Sequence, residues 1–314
     1  MRSRSLTALP TLALPAVLLV ACTMAASETA ETPTDRPPGD LCDAAAPSGT
    51  ASEAVRVEGA VGEASTLIFE APLEIDRVQT SVIHEGSGDP VESGQLITFA
   101  FTSYRADNGQ EIGSIGYGTP QMPLQISPDN PQGLIFGCAS PGTRVVAAFP
   151  SAGGWPEVLV YDLLEIVPSA AWGEPQEPVA GMPTVTLSED GEPTVKLPGG
   201  EPPGEVELGI LRKGDGATVA AGRALLVQYI GVKWSDGSVF ASSWESGEPA
   251  FFPSTDVVDR FGPALEGQTV GSQIIVIIPP EFRDDTKKWS VEELAGETLV
   301  FVVDILGAQS ATAN

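Results

Sequence analysis

The sequence predicts an α+β protein made of two tandem copies of one domain, each a curved antiparallel β-sheet wrapped around a short helix. Three observations predict it. Gly86, Gly88, Gly94 and Gly109 recur as Gly214, Gly216, Gly222 and Gly237, every pair 128 residues apart and with no gap between them. A repeat longer than about a hundred residues marks a duplicated domain, not a solenoid unit. Short β-branched runs bounded by Gly, Pro and Asp read as strands; in the second copy they are Ala224–Val232, Ser238–Phe240, Ser272–Ile278 and Thr298–Ile305. One segment of that copy reads as a helix. Ser254 or Thr255 can cap it, Asp256 suits its first turn, Val257, Val258 and Phe261 make one apolar face, and Gly262-Pro263 is a stop signal.

Taken in order, the chain opens with Arg2 and Arg4 before an apolar run from Leu6 to Ala21, the pattern of a signal peptide over residues 1–21. Pro10 and Pro15 interrupt it, and it is short for a membrane span. Its end, Leu19-Val20-Ala21-Cys22, resembles the lipobox of bacterial lipoproteins. That resemblance implies removal of residues 1–21, lipidation of Cys22, and an export route to the extracytoplasmic face of the cell membrane. Two or more acyl chains anchor stably, at about 0.8 kcal/mol per buried CH₂. The other reading is an ordinary secretory signal cut nearby, with Cys22 incidental.

Residues 22–50 begin small, polar and Pro-rich, and are expected to form a flexible tether. The two copies follow at residues 51–167 and 184–309, joined by a Pro/Gly/Glu-rich linker over 168–183. "SPGTRVVAAFP" matches "TVGSQIIVIIPP", "LVYDLLEI" matches "LVFVVDIL", and "VGEASTLIFEAP" has a counterpart in "DGEPTVKLP". Export places Cys42 and Cys138 in an oxidising compartment, where a disulfide is favoured over two free thiols.

A formal net charge of −26 argues against nucleic acid as a partner, because so acidic a surface repels phosphate backbones. It also disfavours peripheral binding to anionic lipid, so membrane attachment rests on the lipid anchor. His84 is the only histidine and reads as a surface residue. The sequence offers no metal-ligand cluster, and no cofactor is expected.

The stretch "VQYIGVKWSDGSVF", Val227 to Phe240, reads as strand, tight turn at Asp236-Gly237, and strand. With "FASS", "ALEGQTVGSQIIVIIPPEF" and "TLVFVVDIL" it resembles, in order over residues 207–307, an FKBP-type peptidyl-prolyl cis-trans isomerase. The resemblance implies a bent antiparallel sheet around one helix, with an apolar cup that accepts a prolyl residue. It assigns the cup to Tyr229, Phe240, Val258, Phe261 and Phe301. Phe252, Val257 and Phe282 join them as substrate-binding positions, and Phe261 stands where the family usually has Trp. The alternative is that these aromatics are only core. Three positions depart from the family pattern. Ala241 replaces the Asp that partners the Tyr hydroxyl, Ala250 replaces a wall aromatic, and Asp284 stands near the place of a second Tyr.

Such a cup implies proline-containing polypeptides as substrates. Rotation about X–Pro must break amide resonance across a barrier of about 20 kcal/mol, and the twisted amide is less polar than the planar one. A dry apolar pocket therefore favours the twisted form. A 10⁵-fold acceleration needs only about 7 kcal/mol of differential stabilisation, and no nucleophile, metal or acid–base pair. The alternative function is a non-catalytic peptide-binding or chaperone module using the same cup. The first copy resembles the family more weakly and is expected to be degenerate. Phe101 stands at the Tyr229 position, Ile112 at Phe240 and Tyr161 at Phe301, and "DNPQGLIFG", with Leu134, Ile135 and Phe136, is the nearest thing to the helix.

Overall fold

The structure is a computed structural model that describes residues 40–119, 121–255, 261–282 and 294–309. Those residues belong to one compact unit, Pro38–Asn314. Cys22, Val257, Val258 and Asp284 lie outside the described residues.

The first half contains β1 (Arg56–Glu58), β2 (Thr66–Ile68), β3 (Gln79–His84), β4 (Leu96–Arg105), β5 (Glu111–Ile115), β6 (Leu124–Gln125), β7 (Arg144–Phe149) and β8 (Glu157–Val167). Its helices are α1 (Thr50–Glu53) and α2 (Pro131–Phe136). The strands form an antiparallel sheet in the order β3-β7-β8-β4-β5, with β6 also on β4, while β1 and β2 make a separate hairpin. After it come β9 (Glu174–Pro175), β10 (Thr184–Leu187), β11 (Pro193–Lys196), β12 (Glu207–Lys213), β13 (Ala224–Lys233), β14 (Val239–Ser242), β15 (Ala250–Pro253), β16 (Gln273–Ile278) and β17 (Leu299–Ala308), with α3 (Phe261–Leu265). The second sheet runs β9-β12-β16-β17-β13-β14, with β15 also on β13. Strand for strand the two orders are the same, and the second adds β9 at its edge.

The repeated glycines do two different jobs. Gly109 and Gly237 take φ of +75° and +72° in the hairpins after β4 and β13, a conformation that costs glycine nothing. Gly86 and Gly214 are close approaches instead. A Cβ would lie 2.3 Å from the Pro141 carbonyl oxygen at the first and 2.2 Å from that of Val270 at the second.

Both faces of each sheet are covered. In the second, Val227, Tyr229, Ile274, Val276, Phe301, Val303 and Ile305 pack with Phe261 and Leu265 of α3. On the opposite face Ile230, Val232, Ile275, Ile277, Val300 and Val302 pack under Val185 and Val195 of the β10–β11 hairpin. The first sheet repeats this, with Ile135 and Phe136 of α2 on one face and Val57 and Leu67 of the β1–β2 hairpin on the other. Asn130 caps α2 by accepting from the Gly133 N–H at 3.0 Å, and Pro131 occupies the first turn, where its missing donor costs nothing. Leu96 and Val167 of the first sheet meet Leu226 and Leu306 of the second in a small shared apolar cluster.

Four expectations need correction. The tether does not run to residue 50: Leu41 is buried, the Ala46 carbonyl accepts from the Thr80 hydroxyl, and Cys42 is joined to Cys138 by a disulfide spanning 96 residues. The small, polar composition hid two buried anchors, Leu41 and Ala46. The linker 168–183 is likewise part of the second sheet. Glu174–Pro175 pairs with β12, Gly173 N–H donates to Gly271 O at 2.9 Å, and Met182 is buried on the outer face. A proline fits there because an edge strand can spare a donor. Gly262-Pro263 is not a stop signal, since both residues lie inside α3 and the Gly262 carbonyl accepts from Glu266 N–H at 3.3 Å; the expected helix face at 256–260 lies outside the described residues. Ser254 spends its hydroxyl on the Glu266 carboxylate at 2.8 Å and accepts from Gly222 N–H.

The fourth correction concerns the last strand. Phe101 lies opposite Tyr161, whereas Tyr229 lies opposite Val303; Phe301 lies opposite Gly231, whose counterpart Ser103 faces Leu159. The residue equivalent to Phe301 is therefore Leu159, not Tyr161. The same register makes Asp162 and Asp304 equivalent. Each is buried beside a residue of the neighbouring strand, Arg144 for the first and Gln273 for the second.

Asp162 forms a two-pronged ion pair with Arg144, at 2.5 and 2.7 Å, and accepts from Gly62 N–H at 2.9 Å. Asp304 has neutral partners: Gln273 Nε2 donates at 2.7 Å and Ala171 N–H at 2.9 Å. Burial, only partly offset by these donors and by Arg212, pushes its pKa up to about 6. The folded chain thus holds the proton more tightly than the unfolded one, whose Asp titrates near about 3.9. The stabilisation from that proton is complete below about pH 4 and is lost as pH rises through about 6. Asp304→Asn should therefore raise stability at pH 8 by up to about 3 kcal/mol, and the gain should vanish near pH 4. Urea unfolding of both proteins across that range checks it; an unchanged difference at all pH values refutes the assignment.

Candidate active site

Strand β13 alternates its side chains between faces, so Val227 and Tyr229 point toward α3 and position 231 lies on the same face. Gly231 has no side chain, and the ring of Phe240 from β14 fills the space above it. A Cβ at position 231 would lie 2.6 Å from Phe240 Cζ. From there an unbroken line of aromatic contacts crosses the site. Phe240 meets Phe301 edge-on at 5.5 Å between centroids, Phe301 meets Phe261 at 4.8 Å, and Phe261 meets Phe252 at 5.9 Å. Phe301 and Phe261 are almost fully buried, Phe240 is half-buried, and Phe282 packs against the same cluster from a 3₁₀ turn at Pro280–Phe282.

Tyr229, Phe240, Phe252, Phe261, Phe282 and Phe301 are thus brought together on one face. Ala241 and Ala250 border that cluster and offer it no polar atom. Burial pushes the Tyr229 phenol up, so its oxygen stays protonated at neutral pH. Among the described residues no group of three or more His, Cys, Asp or Glu could hold a metal ion, and no helix is long and apolar enough to cross a membrane.

Two supporting residues escaped the sequence reading. Gly231 makes the bed for Phe240. Ser243 fixes the Tyr229 backbone: its Oγ accepts from Tyr229 N–H at 2.8 Å and its own N–H donates to Tyr229 O at 3.0 Å. The second serine of "FASS" was the available signal, but its task depends on a cross-strand register that the motif does not state.

In the first sheet the same places carry different residues. Ser103 replaces Gly231 and donates its hydroxyl to Glu157 at 3.0 Å, and Ile112 replaces Phe240 and is 48% exposed. With a side chain at 103 there is no bed for a ring, and the line of contacts seen in the second sheet is absent there.

The family model described as FKBP-type peptidyl-prolyl cis-trans isomerase matches residues 216–306, within the second sheet. An "FK506-binding protein" of Streptomyces anulatus is 34% identical over 118 residues, which are 37% of this chain and 95% of that protein. The "FKBP-type 22 kDa peptidyl-prolyl cis-trans isomerase" of Escherichia coli is 35% identical over 101 residues, 32% of this chain and 48% of that protein. Among solved structures, FkpA from Escherichia coli is 24% identical, with a TM-score of 0.31, covering 42% of this chain and 54% of its own. Through its second sheet, the chain belongs to the FKBP-type peptidyl-prolyl cis-trans isomerase family.

Proposed function

We propose that this isomerase acts on X–Pro bonds of exported polypeptides, from a lipid anchor at Cys22 on the extracytoplasmic face of the cell membrane. The observation that carries the catalytic part is the continuous apolar line Phe240–Phe301–Phe261–Phe252 beside Tyr229, within the segment that matches the family. A planar X–Pro amide is stabilised in water by its charge-separated resonance form, and the twisted amide has lost that form. An apolar wall gives up little when the amide twists, whereas water gives up hydrogen bonds. The protonated Tyr229 phenol is a donor beside that wall. Position 241 brings a methyl group to this wall, and the rings of Phe240, Phe301, Phe261 and Phe252 supply most of its surface.

The location is supported by Arg2, Arg4 and the apolar run ending Leu19-Val20-Ala21-Cys22, and by the Cys42–Cys138 disulfide, a bond kept in oxidising compartments.

Phe240→Ala should lower kcat/KM on a proline-containing peptide at least tenfold, more than about 1.4 kcal/mol of transition-state stabilisation. Ile112→Ala, the matching change in the first sheet, should leave it unchanged. Circular dichroism must first show both variants folded; equal activity in all three proteins overturns the site. Gly231→Ala should act like a milder Phe240→Ala, because the new methyl group displaces the ring while adding no charge. A kcat/KM equal to that of the parent chain would show that the ring's seat does not matter. For the anchor, Cys22→Ala should leave the protein soluble or unprocessed in a membrane fractionation, and full recovery of the mature variant with membranes refutes lipidation.

A further inference from the structure

We propose that the first sheet carries a second binding site, for the apolar side chain and adjoining backbone carbonyl of an extended polypeptide segment. It lies in a cavity of about 610 Å³ walled by Phe99, Phe101, Phe149, Trp155, Leu159 and Tyr161. The volume suits one large side chain with its flanking backbone. Tyr161 is the centre of the wall: its ring lies 5.3 Å from Phe101, 6.0 Å from Phe99 and 6.0 Å from Phe136. It is 9% exposed, and its hydroxyl has no hydrogen-bond partner among the described residues. The hydroxyl is not sealed off: it is accessible from the cavity that Tyr161 lines, so a bound group can accept from it. Burial first, then the Glu157 charge, pushes this phenol up to about 12, so it remains a donor at every physiological pH.

Glu157 in the same lining accepts from the Ser103 hydroxyl, and no bond joins it to the Tyr161 hydroxyl; a peptide carbonyl beside an apolar side chain supplies that donor with an acceptor. Trp155 stands at the mouth, 45% exposed, with the Arg105 guanidinium 4.4 Å over its ring and Asp107 holding that guanidinium. The ring is therefore held in place for contact. The charge of the whole chain, −26, and Glu157 in the lining favour segments that carry Lys or Arg. The site owes nothing to the isomerase reading, because Ile112 and Ser103 stand where the second sheet has Phe240 and Gly231.

The test is titration calorimetry of the full chain with the blocked, proline-free peptide acetyl-Lys-Leu-Phe-Leu-Lys-amide. Trp155→Ala should weaken binding about tenfold. Tyr161→Phe should weaken it about fivefold, the loss of one uncharged hydrogen bond, while leaving Tm unchanged, because no bond within the protein is lost. Phe240→Ala should leave peptide binding intact, and Trp155→Ala should leave isomerase activity intact. No measurable binding, binding that neither Trp155→Ala nor Tyr161→Phe weakens, or binding that Phe240→Ala abolishes would each overturn the proposal.

Discussion

Burial of the central strands on both faces is the constraint from which the rest of the structure follows. Strand β16 is buried at every position, and β17 at every position but its last. A fully buried Ile or Val contributes about 1.5–3 kcal/mol, but only if water is kept off both sides of the sheet. One helix covers one side. The other needs a second cover, which the β1–β2 and β10–β11 hairpins provide. In the second half the cover extends further, to Met182 and the edge strand β9. The proline-rich segment between the sheets is therefore not a spacer that happens to pack. It closes a face that would otherwise be wet.

The same constraint explains the buried carboxylates. A sheet covered on both sides has no wet position for a polar side chain in its middle, yet Asp162 and Asp304 sit there. Each ties a covering segment down by accepting a backbone N–H, from Gly62 in one case and Ala171 in the other. The first is balanced by a full charge on Arg144, which also donates to the carbonyls of Gly59 and Ala60. The second is balanced mainly by the dipoles of Ala171 and Gln273, with a smaller contribution from the Arg212 charge. The two copies solve one problem with different electrostatics, and the second solution leaves Asp304 as a group that titrates close to neutrality.

How far the sequence could be read follows from the same physics. Up to the first hairpins the two copies keep one spacing, because glycines at close approaches and turns tolerate no replacement; Gly86, Gly109 and their partners were legible for that reason. The last strand was misread by two residues. Apolar strand patterns repeat every second residue, so a slip of two keeps every side chain on its own face and changes nothing that hydrophobicity can detect. The buried Asp162 and Asp304 break that degeneracy and were present in both strings, but an isolated Asp in an apolar run does not announce that it is buried. The aromatic set of the site was legible from the family pattern. Gly231 and Ser243 were not, since their roles exist only across strands.

The exchange at the strand position under the ring is where the two concave faces begin to differ. Glycine at 231 lets a ring lie flat on the strand, so Phe240 completes an aromatic line with Phe301 and Phe261. Serine at 103 turns toward Glu157 instead, and the position across the hairpin has only Ile112 to offer, which stays in solvent. Because the last strand is registered as it is, Tyr161 rather than Leu159 meets Phe101, and a phenol enters a wall that in the second sheet holds Val303 at the same place. Ile112 and Leu159 thus stand for the rings of Phe240 and Phe301, while the phenol moves from the place of Tyr229, where the first sheet has Phe101, to the place of Val303; the two concave faces keep one frame and differ in where their rings and their one phenol stand.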